Sequence, residues 1–136
     1  MATVPLIEHA NASPSVRAVY DDIKQLRRVD DVNNFWKALA NSPRQLEQVW
    51  SEVKTVMQPG ALDALTKELI YVAVSAANSC TYCVHSHTAA ARAKGMTPEQ
   101  HAELLAVIAL ASRTNGLANS LQVPVDPQYQ AGLMAK

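Results

Sequence analysis

The sequence predicts an all-α protein, a compact bundle of about six helices joined by short loops. Three observations favour this fold. A hydroxyl residue followed directly by proline, which is typical of a helix start, occurs at Ser13-Pro14, Ser42-Pro43 and Thr97-Pro98. Apolar residues recur three and four positions apart along most of the chain. Aromatic residues make up only 5% of the sequence, and much of the apolar content is alanine, whose small side chain lets helices approach closely.

Three helices are predicted in the first half of the chain. The first begins after Ser13 and carries apolar side chains as far as Leu26. A short second helix is indicated around Phe35–Leu39. The third begins after Ser42, places one apolar stripe along residues 46–57, and ends at Pro59-Gly60. At 136 residues the chain fits one domain, so we expect residues 1–136 to form a single helical domain.

Two further helices are predicted on either side of Asn78-Ser79. Asp63 is a suitable cap for the first of them. The β-branched run Ile70–Val74 would also suit a strand, but its neighbours keep helical periodicity and no second segment offers a strand partner, so a helix is favoured. The second helix runs from about Cys80 to Lys94.

The last long helix begins after a glycine. Gly95 suits the position that follows a helix end, and Thr97–Gln100 combines a cap, a proline and a capping-box glutamine. The predicted buried face of this helix consists of Leu104, Leu105, Ile108 and Ala111. We expect the helix to reach about Thr114–Gly116. From Val123 onward the tail is weakly patterned, and we expect it to drape on a partner subunit or stay mobile.

Composition and charge exclude several functional classes. The 12 basic and 12 acidic residues cancel and form no basic stripe, so no nucleic-acid partner is expected. The longest apolar runs are too short to cross a bilayer, so no membrane association is expected. The start of the chain, Met1–Pro5, has neither the positive region nor the apolar stretch of a secretory signal. We therefore expect a cytoplasmic protein.

The 2 cysteines of the chain, Cys80 and Cys83, stand in a Cys-x-x-Cys motif. In a reducing compartment such a pair is either redox-active or half of a metal site. The spacing brings two sulfurs within bonding distance across the first turn of a helix. Unpaired backbone N–H groups and the positive end of the helix dipole lie at that turn, and both stabilise a thiolate. Asn78-Ser79, just before the motif, is predicted to break and cap the helix.

An imidazole and a carboxylate are predicted to lie beside the cysteines. His87 follows Cys83 by four residues, on the same helical face, and can accept the thiol proton. His85 points elsewhere and is assigned no role. If the two helices pair antiparallel around Ser79, Glu68 comes within about one helical turn of His87. Glu68 is surrounded by apolar residues, which predicts a raised pKa suited to accepting protons near neutrality.

These residues resemble the alkylhydroperoxidase D branch of the carboxymuconolactone decarboxylase family. That branch carries a Glu-x11-Cys-x-x-Cys-x-x-x-His signature, and Glu68, Cys80, Cys83 and His87 meet every spacing. The resemblance extends from about Leu62 to Gly95. A Cys-x-x-Cys motif alone is weak evidence, whereas four positions in fixed register are strong.

The resemblance implies an all-helical subunit that assembles into trimers or hexamers and reduces hydroperoxides. It implies that Cys83 attacks the peroxide, that Cys80 is the resolving thiol, and that Glu68 and His87 relay protons. The implied cofactor is only the redox-active disulfide, with no metal, and an unidentified thiol or protein supplies the electrons. The best-known members have a histidine directly before the second cysteine. Here Tyr82 stands there, and since tyrosine is a poor base at neutral pH, only a supporting role is expected.

Two alternatives to a peroxidase remain open. One is a lyase acting on a carboxymuconolactone-like substrate, although the decarboxylase members generally lack the cysteine pair. The other is a non-enzymatic interaction or zinc-binding module, in which Cys80, Cys83 and His87 bind zinc together with His85 or Glu68. Structural zinc usually draws a second ligand pair from a separate segment, and this chain offers none.

Overall fold

The computed structural model describes residues 1–131, and this part of the chain is all-helical, with seven α-helices, one short 3₁₀ turn and no strand. The 3₁₀ turn spans His9–Asn11, and the helices are α1 (Pro14–Arg27), α2 (Asn34–Leu39), α3 (Pro43–Met57), α4 (Ala64–Ala77), α5 (Thr81–Ala93), α6 (Pro98–Ser120) and α7 (Pro127–Ala131). The all-α prediction is confirmed. Residues 132–136 of the predicted tail and domain lie outside the described residues.

Local capping sets most of the helix starts. The side chains of Ser13, Asp63 and Thr97 each accept a hydrogen bond from a backbone N–H in the first turn of α1, α4 and α6. The capping box of α6 is complete, because the Gln100 side chain also accepts from the Thr97 backbone. Ser42 precedes α3 without such a side-chain bond. These starts were predictable because a cap depends only on residues within one turn of it.

The chain divides into two compact units, the first spanning Met1–Gln58 and the second beginning at Pro59. In the first unit α3 packs against α1 and α2. The core of this unit consists of Ala12, Val16, Tyr20, Ile23, Val32, Trp36, Ala40, Leu46 and Trp50. The rings of Trp36 and Trp50 meet edge to face, with centroids 5.5 Å apart. Leu26, predicted on the apolar stripe of α1, lies in its exposed last turn.

The second unit consists of α4, α5, α6 and α7. Helix α4 packs extensively against α5 and also against α6. A tight turn joins α4 to α5, and Ser79 adopts the left-handed conformation there, with φ of 56°. Gly95, with φ of 95°, follows α5 as predicted and is the residue type that this conformation favours.

In the C-terminal part the predicted buried face of α6 is wrong, and the predicted end of that helix falls short. Helix α6 extends past Gly116 to Ser120, and its predicted buried face is not buried. Leu104 and Ile108 are half-buried, whereas Leu105 and Ala111 are exposed. Apolar residues occur all round this helix, so periodicity could not single out one face. The tail also contains α7, which begins at Pro127, where proline suits the first turn of a helix. None of the helices in residues 1–131 is both long enough and apolar enough to cross a membrane.

Candidate functional site

The two cysteines lie at the N-terminus of α5 and form a disulfide. Their Cα atoms are 5.3 Å apart. Cys80 is itself the N-cap residue, and its sulfur accepts a hydrogen bond from the backbone N–H of Cys83 at 3.3 Å. The cap predicted at Asn78-Ser79 is therefore wrong, since Asn78 ends α4 and Ser79 makes the left-handed turn. The Cys80 sulfur occupies the place where a helix stabilises negative charge.

A hydrogen bond joins Glu68 on α4 to His87 on α5. The Nδ1 atom of His87 lies 2.7 Å from Oε2 of Glu68. Glu68 is only 5% exposed, whereas the His87 side chain is 22% exposed. An ionised carboxylate can only accept, so Nδ1 carries the proton in this pair. Nε2, the other ring nitrogen, is then the atom that can accept a proton when the imidazole is neutral.

Lys94 is a member of the site that the sequence reasoning did not single out. It caps the C-terminus of α5, and its Nζ atom lies 3.0 Å from Oε1 of Glu68. Each oxygen of the carboxylate therefore has its own partner, and both partners come from one helix. The sequence showed Lys94 only as the end of a predicted helix. Its spacing of seven residues from His87, two helical turns on one face, was the available signal.

The structure corrects the predicted electrostatics of Glu68. Burial acts to raise the pKa of this carboxyl, but hydrogen bonds from His87 and Lys94, together with their charges, outweigh burial. The pKa of Glu68 therefore lies below the ordinary glutamate value, and the raised pKa predicted from its apolar neighbours is wrong. Glu68 is a stable carboxylate at neutral pH, suited to holding and orienting an imidazole.

Tyr71 is a second member that the sequence reasoning missed. Its ring stacks on the imidazole of His87, with centroids 3.6 Å apart and planes inclined by 19°. Tyr71 follows Glu68 by three residues, so both side chains face α5 from adjacent turns of α4. In the sequence this residue was considered only as part of a β-branched run. The stack and the Glu68 hydrogen bond restrict the His87 ring in two different directions.

The remaining predicted residues lie on the surface of α5. Tyr82 is 43% exposed, and the ring stacked on His87 belongs to Tyr71 instead. His85 is exposed, in keeping with its assignment to another face of the helix. Within residues 1–131, no group of three or more histidine, cysteine, aspartate or glutamate side chains is arranged to hold a metal ion.

Comparison with known proteins places the chain in a family. The model of the carboxymuconolactone decarboxylase family matches residues 43–126. The crystal structure of an alkylhydroperoxidase AhpD core from Rhodospirillum rubrum superposes with a TM-score of 0.93 at 59% identity, covering 96% of this chain and 98% of that one.

Two curated relatives match shorter segments. An uncharacterised protein of the cox locus of Paracoccus denitrificans is 45% identical over 56 residues, which is 41% of this chain and 50% of the relative. An alkyl hydroperoxide reductase AhpD from Solibacter usitatus is 45% identical over 65 residues, which is 48% of this chain and 35% of the relative. The chain thus spans half or less of these two relatives. On the family match and the AhpD-core structure, this chain belongs to the carboxymuconolactone decarboxylase family and is AhpD-like.

Proposed function

We propose that the protein is a thiol-dependent peroxidase that reduces hydroperoxides through a dithiol–disulfide cycle of Cys80 and Cys83. The observation that carries the proposal is the hydrogen bond of 2.7 Å between the buried Glu68 and His87, on the helix that begins with the two cysteines. Similarity to an AhpD core structure supports the same activity. The wider family name points to a lyase as the alternative, and a lyase would not need the cysteine pair.

The proposed oxidation consumes one hydroperoxide and two thiols. Nε2 of His87 accepts the proton of the Cys83 thiol, and the thiolate attacks one peroxide oxygen. The O–O bond breaks, an S–O bond forms, and the leaving alkoxide takes the proton to become an alcohol. The Cys80 thiol then gives its proton to Nε2 of His87, and the resulting thiolate attacks the sulfur of the Cys83 sulfenic acid. The S–S bond forms as the S–O bond breaks, and the leaving hydroxide takes that proton and departs as water. An external dithiol reduces the disulfide by exchange and completes the two-electron cycle.

Local geometry supports these assignments. A thiolate at Cys80 keeps the N-cap hydrogen bond from the Cys83 N–H, so the resolving sulfur is held ready for attack. His87 lies one helical turn beyond Cys83, on the same face of α5. The stacked ring of Tyr71 and the carboxylate of Glu68 limit rotation of the imidazole, which favours a fixed orientation for a catalytic base.

Serine substitutions at the two cysteines test the proposal. In Cys83→Ser, peroxide consumption is expected to vanish. In Cys80→Ser, one turnover is expected, with the sulfenic acid trapped by dimedone and detected by mass spectrometry. His85→Gln on the same helix is the matched control and should keep wild-type turnover. Peroxide consumption that survives loss of both cysteines would refute the thiol cycle, and decarboxylation of a carboxymuconolactone by that double variant would establish the lyase.

We propose further that copies of the chain assemble into a trimer or hexamer in the cytoplasm. Large apolar side chains on α6 are exposed, among them Leu105 at 50%, Leu110 at 62% and Leu117 at 53%. Exposed apolar area of this kind favours association with another chain. Sedimentation velocity should give a trimer or larger for the native protein and a smaller species for Leu110→Lys. A native monomer would contradict the assembly.

A further inference from the structure

The buried carboxylate of Glu68 is held by two groups of different character. Oε2 faces Nδ1 of His87 at 2.7 Å, and Oε1 faces Nζ of Lys94 at 3.0 Å. His87 and Lys94 are seven residues apart on α5, which is two helical turns, so they share one face. The Lys94 side chain is 38% exposed and its amine bonds to an atom of a residue that is 5% exposed.

These two groups differ in what they give the carboxylate. A neutral imidazole gives the carboxylate a hydrogen bond, whereas Lys94 gives a hydrogen bond and a full positive charge. Among the described residues, His87 and Lys94 are the charged groups that act on the pKa of Glu68, and α6 contributes none. Without Lys94, burial would be opposed by His87 alone, and the neutral acid would become easier to form.

The protonation state of Glu68 decides which nitrogen of His87 is basic. A carboxylate accepts the proton on Nδ1, which leaves a lone pair on Nε2. A protonated Glu68 would instead donate to Nδ1, so the imidazole would carry its proton on Nε2 and could not act there as a base. Keeping Glu68 ionised is therefore the same as keeping His87 in the tautomer that can accept a thiol proton.

We propose that Lys94 is a positioning residue that holds Glu68 ionised and aimed at Nδ1, so that Nε2 of His87 remains the proton acceptor for the cysteines. The inference rests on the proposed function, because it takes from it that His87 accepts the proton of a cysteine thiol. It extends that function to a residue outside the Glu-Cys-Cys-His signature. Lys94 acts through Glu68 and His87 and needs no contact with the hydroperoxide.

The test compares three variants of the reduced chain of 136 residues. Lys94→Met removes the charge and keeps a linear side chain, Lys94→Arg keeps the charge, and Arg92→Met removes an exposed cation from the same end of α5. The rate of cysteine alkylation by iodoacetamide is measured from pH 5 to pH 9, and ¹⁵N NMR reports the His87 tautomer. Circular dichroism confirms that each variant is folded.

Lys94→Met is expected to slow alkylation about twofold or more near pH 5 and less near pH 8, because burial opposed by His87 alone makes Glu68 easier to protonate at acid pH. Its His87 is expected to shift towards the tautomer protonated on Nε2. Lys94→Arg should restore both readouts to near wild type, and Arg92→Met should leave both unchanged. An unaltered pH profile and tautomer in folded Lys94→Met would overturn the inference.

The alkylation assay separates this inference from the proposed peroxidase. If wild-type protein fails to consume hydroperoxide while Lys94→Met still shifts the alkylation profile, the peroxidase fails and the role of Lys94 stands. If peroxide consumption depends on both cysteines while Lys94→Met keeps the wild-type profile, the role of Lys94 fails and the peroxidase stands. If Lys94→Met does not fold, Lys94→Gln provides the same loss of charge in a polar side chain and the same two readouts.

Discussion

Among residues 1–131, each of the two units buries one charged side chain and gives it two partners. In the first unit the buried charge is Lys37, 7% exposed, whose Nζ lies 2.7 Å from carboxylate oxygens of both Glu8 and Asp31. In the second unit it is Glu68, paired with His87 and Lys94. Burial of a charge is costly unless it is paired, so both arrangements satisfy the same requirement.

The difference lies in the chemistry of the partners. Glu8 and Asp31 precede α1 and α2, so Lys37 fastens two irregular segments to the helix that carries it. The hydrogen bond from Lys37 is the main cause that lowers the pKa of Asp31. His87 is an imidazole, a side chain that serves as a general acid or base in many proteins, and its helix begins at the cysteines. Under the proposed function the Glu68–His87 pair relays protons for the cysteines, whereas the pairs of Lys37 have a structural role only.

This comparison predicts that Glu68→Gln lowers the rate of peroxide consumption, whereas Lys37→Met lowers stability and leaves that rate unchanged. The fall in rate is the largest effect that we expect. Glu68→Gln keeps the shape of the side chain but cannot hold a negative charge against His87. Peroxide consumption should fall about a hundredfold, the lower range for loss of acid–base assistance. Stopped-flow single-turnover kinetics with excess hydroperoxide measures the fall.

Lys37→Met is the control for that experiment. It should leave the rate per folded molecule unchanged and lower the free energy of unfolding by about 1–3 kcal/mol, since charged hydrogen bonds are lost at a buried site. Urea denaturation followed by tryptophan fluorescence measures the loss. A hundredfold fall in rate for folded Lys37→Met, or a wild-type rate for Glu68→Gln, would break the comparison.

How well the sequence predicts a cap, a contact or a pKa shift depends on how far apart in the sequence the interacting residues are. Caps such as Asp63 and Thr97 act within one turn, and the sequence identified them directly. The prediction that Glu68 lies near His87 depended on one assumption, that their two helices pair antiparallel across a short turn. The structure confirms that the two side chains meet. Lys94 is 26 residues from Glu68 in the sequence, and its hydrogen bond and charge add to those of His87 in lowering a pKa that the apolar neighbours alone predicted to be raised.

Helix α6 shows the opposite limit. Its residues were correctly assigned to a helix, because the capping box and apolar content are local properties. Which residues are covered depends on what packs against the helix, and in this helix apolar side chains point in all directions. Leu105, predicted as buried, is 50% exposed for this reason. The tertiary partner, rather than the periodicity, decides burial in such a helix.

The smallest effect that we expect is a change in how the free energy of unfolding depends on acid pH when Glu68 is replaced by glutamine. The pKa of Glu68 is lower in the folded chain than the ordinary value of about 4.3, so folding favours its ionised form. This contribution to stability is fully present above that value and is lost as pH falls through the folded pKa. Replacing Glu68 by glutamine removes the titrating group and with it this part of the acid sensitivity.

Urea unfolding of wild type and Glu68→Gln at pH 6, 4 and 3 measures that difference. The stability advantage of wild type should narrow between pH 4 and pH 3 and should be constant above pH 5. Asp31, whose pKa is lowered mainly by its hydrogen bond from Lys37, gives the first unit an acid sensitivity of the same sign. Glu68→Gln should therefore retain part of the acid dependence. If the stability advantage of wild type over Glu68→Gln instead widened on acidification, burial rather than His87 and Lys94 would dominate the pKa of Glu68. The proposed role of Lys94, which is to keep Glu68 ionised, would then fail.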